Sequence, residues 1–240
     1  MAIHYYPFIN KMINLSGLRK SANFSSEIIP EGLFSVPFIT VCREPGSGGA
    51  HVAKKVAKKL GFEFVDQQII DEIAQSTQKR AKIIKTIDEK ARTSIQDLVH
   101  STFNKEYVSD YKYISELSKI ILAYAYKGKV VILGRGGNFI TPDSKGFHVR
   151  ITAPLPIRRI RAVKYENINA QEAKEMISKV EKDRVDFAKK YFKKDIKRAS
   201  YYDMVLSTAY MDLDAVADLV VEGFYKKFSR VDRYKSIFGK

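Results

Sequence analysis

Residues 38–52 read Phe-Ile-Thr-Val-Cys-Arg-Glu-Pro-Gly-Ser-Gly-Gly-Ala-His-Val. Phe38 to Cys42 is a short apolar run rich in strand formers, and Glu44 to Gly49 is dense in turn residues. Val52, Val56 and Leu60 then recur at helical spacing until Gly61 stops the helix. A strand, a glycine loop and an immediate helix make an anion site. The glycines let successive backbone N–H groups turn inward, and the helix N-terminus adds the positive end of its dipole. Gly46, Ser47, Gly48, Gly49, Ala50 and His51 are therefore the candidate residues for holding nucleotide phosphates.

The loop departs from the GxxxxGK[ST] phosphate-loop pattern. Aligned on Gly48, the first Gly is replaced by Arg43, the Lys by Gly49 and the Ser/Thr by Ala50. An ammonium that reaches the β- and γ-phosphates and a hydroxyl that ligates Mg²⁺ are both missing. Arg43 at the start of the loop is the candidate replacement cation, and His51 is placed to meet a phosphate oxygen.

On either side the same alternation continues. Phe62–Val65 reads as a second short strand ending at Asp66, and Ile69, Ile70, Ile73 and Ala74 resume helical spacing. Residues 81–127 read as helical almost throughout, with Ile114, Leu117 and Ile121 on one stripe. Val130–Leu133 is an apolar run of the kind covered on both faces, and it meets Gly134-Arg135-Gly136-Gly137. His148–Thr152 and Met204–Leu206 are further strands, helices fall near 156–165 and 170–192, and a last helix starts near Asp212. Short apolar strands alternating with helices predict an α/β protein with a parallel sheet and helices on both sides.

Composition narrows the function. With 42 Lys+Arg against 27 Asp+Glu, the net charge of +15 attracts anions such as nucleotide phosphates, nucleic acid or an acidic membrane face. Cys42 is the single cysteine, which excludes an internal disulfide and a cysteine-built zinc site. His4, His51, His100 and His148 show no metal-ligand spacing, and the metal ligands stay unassigned. No apolar stretch approaches the roughly 20 residues that cross a bilayer, so the expected location is cytoplasmic.

The ordered blocks from Ile39 to Phe224 resemble the cytidylate kinase-like family, relatives of bacterial cytidylate kinase among the nucleoside monophosphate kinases. ITVCREPGSGGAHVAKKVAKKLGFEFVD resembles its degenerate P-loop, helix and second strand. VILGRGGNFITPDSKGFHVRITAPLPIRRIRAV resembles the segment with a Gly-Arg-Asp acceptor motif, and YYDMVLSTAYMDLDAVADLVV the closing strand and helix. The implied fold is a P-loop NTPase three-layer α/β/α, nucleoside monophosphate kinase-like with a helical lid. The expected division is an N-terminal extension at 1–35, which lacks sustained periodicity and either wraps the domain through Tyr5, Tyr6, Phe8 and Ile9 or stays partly mobile, a kinase-like domain at 36–228 and a tail at 229–240. Within the domain, 81–128 is the helical acceptor-side insert and 156–200 the lid region.

The resemblance assigns roles residue by residue. Arg135 matches the Arg implied to hold the acceptor monophosphate, although Gly136 replaces the following Asp. Asp66 matches an Asp near the metal or the acceptor hydroxyls, while Gln67–Glu72 depart from the family and place Glu72 where an acceptor-binding Arg is usual. The lid pattern Arg-Asp-x-x-Asp-x-x-Arg is met by Lys182, Asp183, Arg184, Asp186 and Lys189, with Lys182, Asp186 and Lys189 on one helical face. Two cations there are expected to point at the transferred phosphoryl while Asp186 orients them. Arg158, Arg161 and Arg184 are further donors. Taken by itself, this run reads as a solvated charge-laced helix.

The implied reaction is ATP-dependent phosphoryl transfer to a nucleoside monophosphate, CMP or dCMP, with Mg²⁺. The alternative is a nucleotide-binding sensor or regulatory protein with little kinase activity, because Gly49 and Ala50 remove two standard catalytic groups. Nucleic-acid binding ranks last, since the charge alone suggests it. Residues 151–200 hold fourteen Lys/Arg and seven Asp/Glu, nearly half of the net positive excess, which places the charge on the lid rather than over the whole surface.

Overall fold

The central apolar run Phe38–Arg43 (β1) is pleated, so that Phe38 enters one layer of the core while Ile39 and Val41 enter the other. Val130–Leu133 (β3) divides the same way, Val130 and Ile132 against Val131 and Leu133. Strands buried on both faces need helices on both sides, and the helices are present. The structure is a computed structural model describing residues 33–103, 110–143 and 145–238, with backbone alone at 230–238. The expected packing of Tyr5, Tyr6, Phe8 and Ile9 lies outside the described residues.

After β1 the chain runs through α1 (Gly49–Leu60), β2 (Glu63–Val65), α2 (Gln67–Gln75), α3 (Thr77–Ile84), α4 (Glu89–Thr102) and α5 (Tyr111–Lys127) to β3. Next come α6 (Gly137–Ile140), β4 (Gly146–Thr152), α7 (Leu155–Glu166), α8 (Ala170–Phe192), β5 (Met204–Ser207) and α9 (Leu213–Phe238). The sheet order is β2-β3-β1-β4-β5, every pairing parallel, with β1 in the centre. One core layer joins Phe38 and Ile132 to α2, α4 and α5, and the other joins Val41 and Val149 to α1 and α9. Phe38 and Ile39 are fully buried, and each stabilises the fold by roughly 1.5–3 kcal/mol relative to exposure.

The stretch 81–127, expected to be helical almost throughout, is divided among α3, α4 and α5. Lys85–Asp88 separates α3 from α4, where the Asp88 side chain caps α4 by accepting from the Ala91 N–H at 2.8 Å. A second break precedes Tyr111. The expected tail begins as helix, since α9 runs on to Phe238. Helix α8 starts from a capping box, Asn169 with Glu172, and buries only Ala173, Ile177 and Ala188 along its 23 residues. A long helix with so few buried residues lies over the sheet rather than within the core.

Candidate active site

At the end of β1 the chain turns through Glu44–Gly48 into α1. Gly48 is the N-cap of α1 at φ +77°, a left-handed conformation that favours glycine. Ser47 is fully buried; its Oγ donates to the Glu44 carbonyl at 2.8 Å and accepts from the Gly49 N–H at 3.3 Å. The loop is tied from behind. The Glu44 carboxylate accepts from Arg150 Nη2 at 3.0 Å and from the Ala153 N–H at 3.1 Å. Arg161 donates to the Ser47 carbonyl at 3.1 Å and to Thr208 Oγ1 at 2.7 Å. Arg158 donates to the Ala153 carbonyl and to Glu181, each at 3.0 Å.

Arg158 and Arg161, expected as donors to the transferred phosphoryl, are thus committed to carbonyls and carboxylates behind the loop. A guanidinium taken out of water must satisfy its N–H groups, and the carbonyls of a tight loop supply the acceptors.

On the side of β1 that faces α8 the situation is reversed. A cavity of about 240 Å³ lies between the carboxyl half of β1, the turn after β3 and α8, with Arg43, Arg135 and Arg184 in its wall together with Gln67, Asp183 and Phe187. Crevices at the carboxyl ends of the strands are the ligand positions of open α/β sheets. Arg43 Nη2 meets Gln67 Oε1 at 3.4 Å, and Arg184 Nη1 donates to the Arg43 carbonyl at 2.8 Å, linking α8 to β1. Burial, and next the nearby Arg184, pull Arg43 well below the ordinary arginine value. Burial lowers Arg184 too, with Arg135 acting in the same direction. Cations that destabilise one another in a cavity favour an anion between them.

Arg135 stands on the turn after β3 with φ +52°. Its Nε donates to Asp71 Oδ1 at 2.8 Å, its Nη2 to Asp71 Oδ2, and its guanidinium lies 5.4 Å from the centre of the Phe187 ring. A second, more open cavity of about 500 Å³ is lined by Ala50, Asp66, Asp71 and Glu72, with Arg43 and Gln67 bordering both cavities. Asp66 caps α2 by accepting from the Ile69 N–H at 2.9 Å.

The missing lysine has a steric explanation. A Cβ at Gly49 would lie 2.5 Å from Arg43 Cβ and 3.1 Å from Ile151 Cβ, so no side chain can begin there while Arg43 occupies its place. The Arg43 guanidinium in turn lies against Gly134, where an added Cβ would collide with it.

Other expected residues sit elsewhere. His51 is exposed, its ring 6.4 Å from that of Tyr165. Lys182 pairs with Asp186 at 2.7 Å, but the two side chains are 77% and 56% exposed, and Lys189 is also exposed. The α8 face that lines the cavity is Val180, Asp183, Arg184, Phe187 and Ala188. Burial of its apolar members turned the helix, and Lys182 and Lys189 went to the solvent side. Asp71, Gln67 and Phe187 were not singled out from the sequence; the i, i+4 spacing of Gln67 and Asp71 directly after Asp66 is the signal that marks them.

No group of three or more His, Cys, Asp and Glu residues able to hold a metal ion occurs among the described residues. Ser47 and Glu44 are committed within the loop, and Ala50 offers no side-chain donor. Among the described residues, no helix is long and apolar enough to cross a membrane.

A parallel sheet in this order, a glycine loop after its central strand and a basic helix pair over the strand ends define a P-loop α/β/α fold of the nucleoside monophosphate kinase kind. Within that class, the chain belongs to the cytidylate kinase-like family, whose model matches residues 38–210. A cytidylate kinase of Ignicoccus hospitalis is 27% identical over 183 residues, which span 76% of this chain and 95% of that one. The cytidylate kinase of Methanocaldococcus jannaschii is 28% identical over 190 residues, spanning 76% and 94%. Among solved structures, an uncharacterized protein from Eubacterium ventriosum covers 78% of this chain and 98% of its own at 19% identity and a TM-score of 0.55, a likeness of fold.

Proposed function

We propose that the protein transfers a phosphoryl group from ATP to a nucleoside monophosphate, with CMP or dCMP as acceptor. The observation that carries this reading is the convergence of Arg43, Arg135 and Arg184 on one cavity beside β1, the strand that leads into the glycine loop. Phosphoryl transfer asks the protein for in-line placement and for neutralisation of charge on the transferred group, with little covalent chemistry. The N–H groups of Ser47 and Gly49 are donated within the loop, so those of Gly46, Gly48 and Ala50 hold the donor phosphates, Arg135 the acceptor phosphate, and Arg184 of α8 covers the group in transit. Arg43 takes the role of the absent lysine.

Lys182 and Lys189 face outward, so they reach the phosphoryl only if α8 rearranges on binding, and Arg184 is the lid cation already in place. A Mg²⁺ ion here would be held chiefly by the nucleotide's own phosphates, as Mg²⁺ commonly is, with Asp66 on the cavity wall as the protein carboxylate. When bound it neutralises phosphate charge.

The archaeal relatives named cytidylate kinases support the acceptor class. The test pairs ATP binding with a transfer screen over CMP, dCMP, UMP and AMP. Arg135→Ala is expected to raise the acceptor KM or abolish transfer while ATP binding persists. Equal loss of both excludes the assigned role of Arg135.

The second reading, a nucleotide-binding regulator, is favoured by the lack of side-chain donors at Gly49 and Ala50. Tight ATP binding without transfer to any acceptor establishes it instead.

A further inference from the structure

Asp71 is the feature of the cavity wall that the proposed reaction leaves unused, and the following rests on that reading of Arg135. Three donors meet on the Asp71 carboxylate: Arg135 Nε at 2.8 Å, Arg135 Nη2, and the Tyr113 hydroxyl at 3.2 Å. The carboxylate takes the side of the guanidinium fork that carries Nε, and the Nη1 end is not part of this pair. The same guanidinium lies over the Phe187 ring, 5.4 Å from its centre. The ion pair also stands between the two cavities, Arg135 in the wall of the first and Asp71 in the wall of the second.

An arginine side chain gives up rotamer freedom when it is fixed, a cost that a ligand must overcome unless the fold has already done so. Here the fold has done so from two directions. Each side chain of the pair is 21% exposed. At that exposure a bidentate arginine–carboxylate contact gives geometric definition as well as attraction. A pair serving stability alone has no need of a residue with left-handed backbone beside two further guanidinium groups. We infer that Asp71 is a positioning residue: it holds Arg135 with the Nη1 end of its fork presented to the acceptor phosphate, and Tyr113 from α5 holds Asp71.

The alternative is that Asp71 competes with the phosphate for Arg135, and the two ideas predict opposite signs. Steady-state kinetics of the full chain with CMP and ATP are measured for wild type, Asp71→Asn, Asp71→Ala, Arg135→Ala and the double variant Asp71→Ala/Arg135→Ala, with thermal unfolding as a check on folding. Positioning predicts that Asp71→Ala raises the CMP KM by about tenfold, with a smaller rise for Asp71→Asn, which keeps an acceptor for Nε–H. It also predicts an ATP KM within about twofold of wild type and no further loss when Asp71→Ala is added to Arg135→Ala. A CMP KM that falls or stays unchanged overturns the inference. So does a parallel rise in ATP KM, or an undiminished effect in the double variant.

The pin itself is read without nucleotide from the Arg135 Nε–H resonance, expected to be sharp and slow to exchange in wild type and broadened in Asp71→Ala. An unaffected resonance overturns the inference whatever the activity. A wild-type chain that shows the pinned resonance but neither binds nor phosphorylates CMP overturns the acceptor reading, and the positioning role with it.

Discussion

The arginines behind the phosphate loop and those at the cavity beside β1 are the same residue type doing opposite things. Behind it, Arg150, Arg158 and Arg161 meet Glu44, Glu181 and the carbonyls of Ser47, Ala153 and Thr208. At the cavity, Arg43 and Arg184 are half-buried close to each other and to Arg135, and the first two are shifted below the ordinary arginine value. The back set makes the loop rigid. The cavity set holds positive charge at a cost in stability, which an anion relieves on binding. Under the proposed function, stability and binding are thus divided between the arginines that tie the loop Glu44–Gly49 and those that line the cavity beside β1.

The division can be broken most severely from behind. Arg150→Ala leaves the Glu44 carboxylate half-buried without its main cation, and is expected to cost about 3–5 kcal/mol, read as a large fall in Tm. Next in size is Gly49→Lys, which restores the usual residue into space filled by Arg43 Cβ. A loss of about 1–3 kcal/mol is expected from overpacking, and adding Arg43→Gly, which removes that Cβ, to the same chain should recover part of it. If Gly49→Lys alone is as stable as wild type and binds ATP, the exclusion of a side chain by Arg43 is disproved.

The cavity set predicts the reverse sign. Arg43→Met removes a desolvated, repelled cation while filling its space, so Tm should rise by the equivalent of about 1 kcal/mol while ATP binding weakens. A simultaneous fall in Tm and in binding would make Arg43 one more structural arginine.

The smallest effect is a pH effect behind the loop. Burial raises the Glu181 carboxyl, but Lys197 and Arg158 outweigh it and hold the group below the usual glutamate value. A depressed carboxyl contributes stability that is present above its unfolded value of about 4.5 and lost as pH falls through the lower folded value. Glu181→Gln should therefore lower stability at neutral pH and leave the acid end almost unchanged, so that the profile flattens between them, as followed by thermal unfolding.

Much of the fold was legible because its signals are local. The apolar runs at Phe38–Cys42 and Val130–Leu133, and the glycine loop between strand and helix, each announce themselves within about ten residues. The break at Lys85–Asp88 was missed since a capping aspartate inside a charged helical run resembles any other surface residue. In the lid, the spacing of Lys182, Asp186 and Lys189 correctly implied one face, and their pairing was observed for Lys182 and Asp186. Which face looks inward was decided by Val180, Phe187 and Ala188, whose apolar stripe is visible in the sequence and was outweighed there by attention to charge.

By itself, the sequence determined an alternating α/β chain with a phosphate-type loop after its first strand, because hydrophobic periodicity and glycine conformation act between near neighbours. Tertiary structure alone decided which cations are spent and which stay directed at the cavity. Arg161 reaches the Ser47 carbonyl across 114 residues of chain, and Arg184 the Arg43 carbonyl across 141. A guanidinium is committed by whatever acceptor the fold brings within about 3 Å, and that acceptor has no fixed position along the sequence.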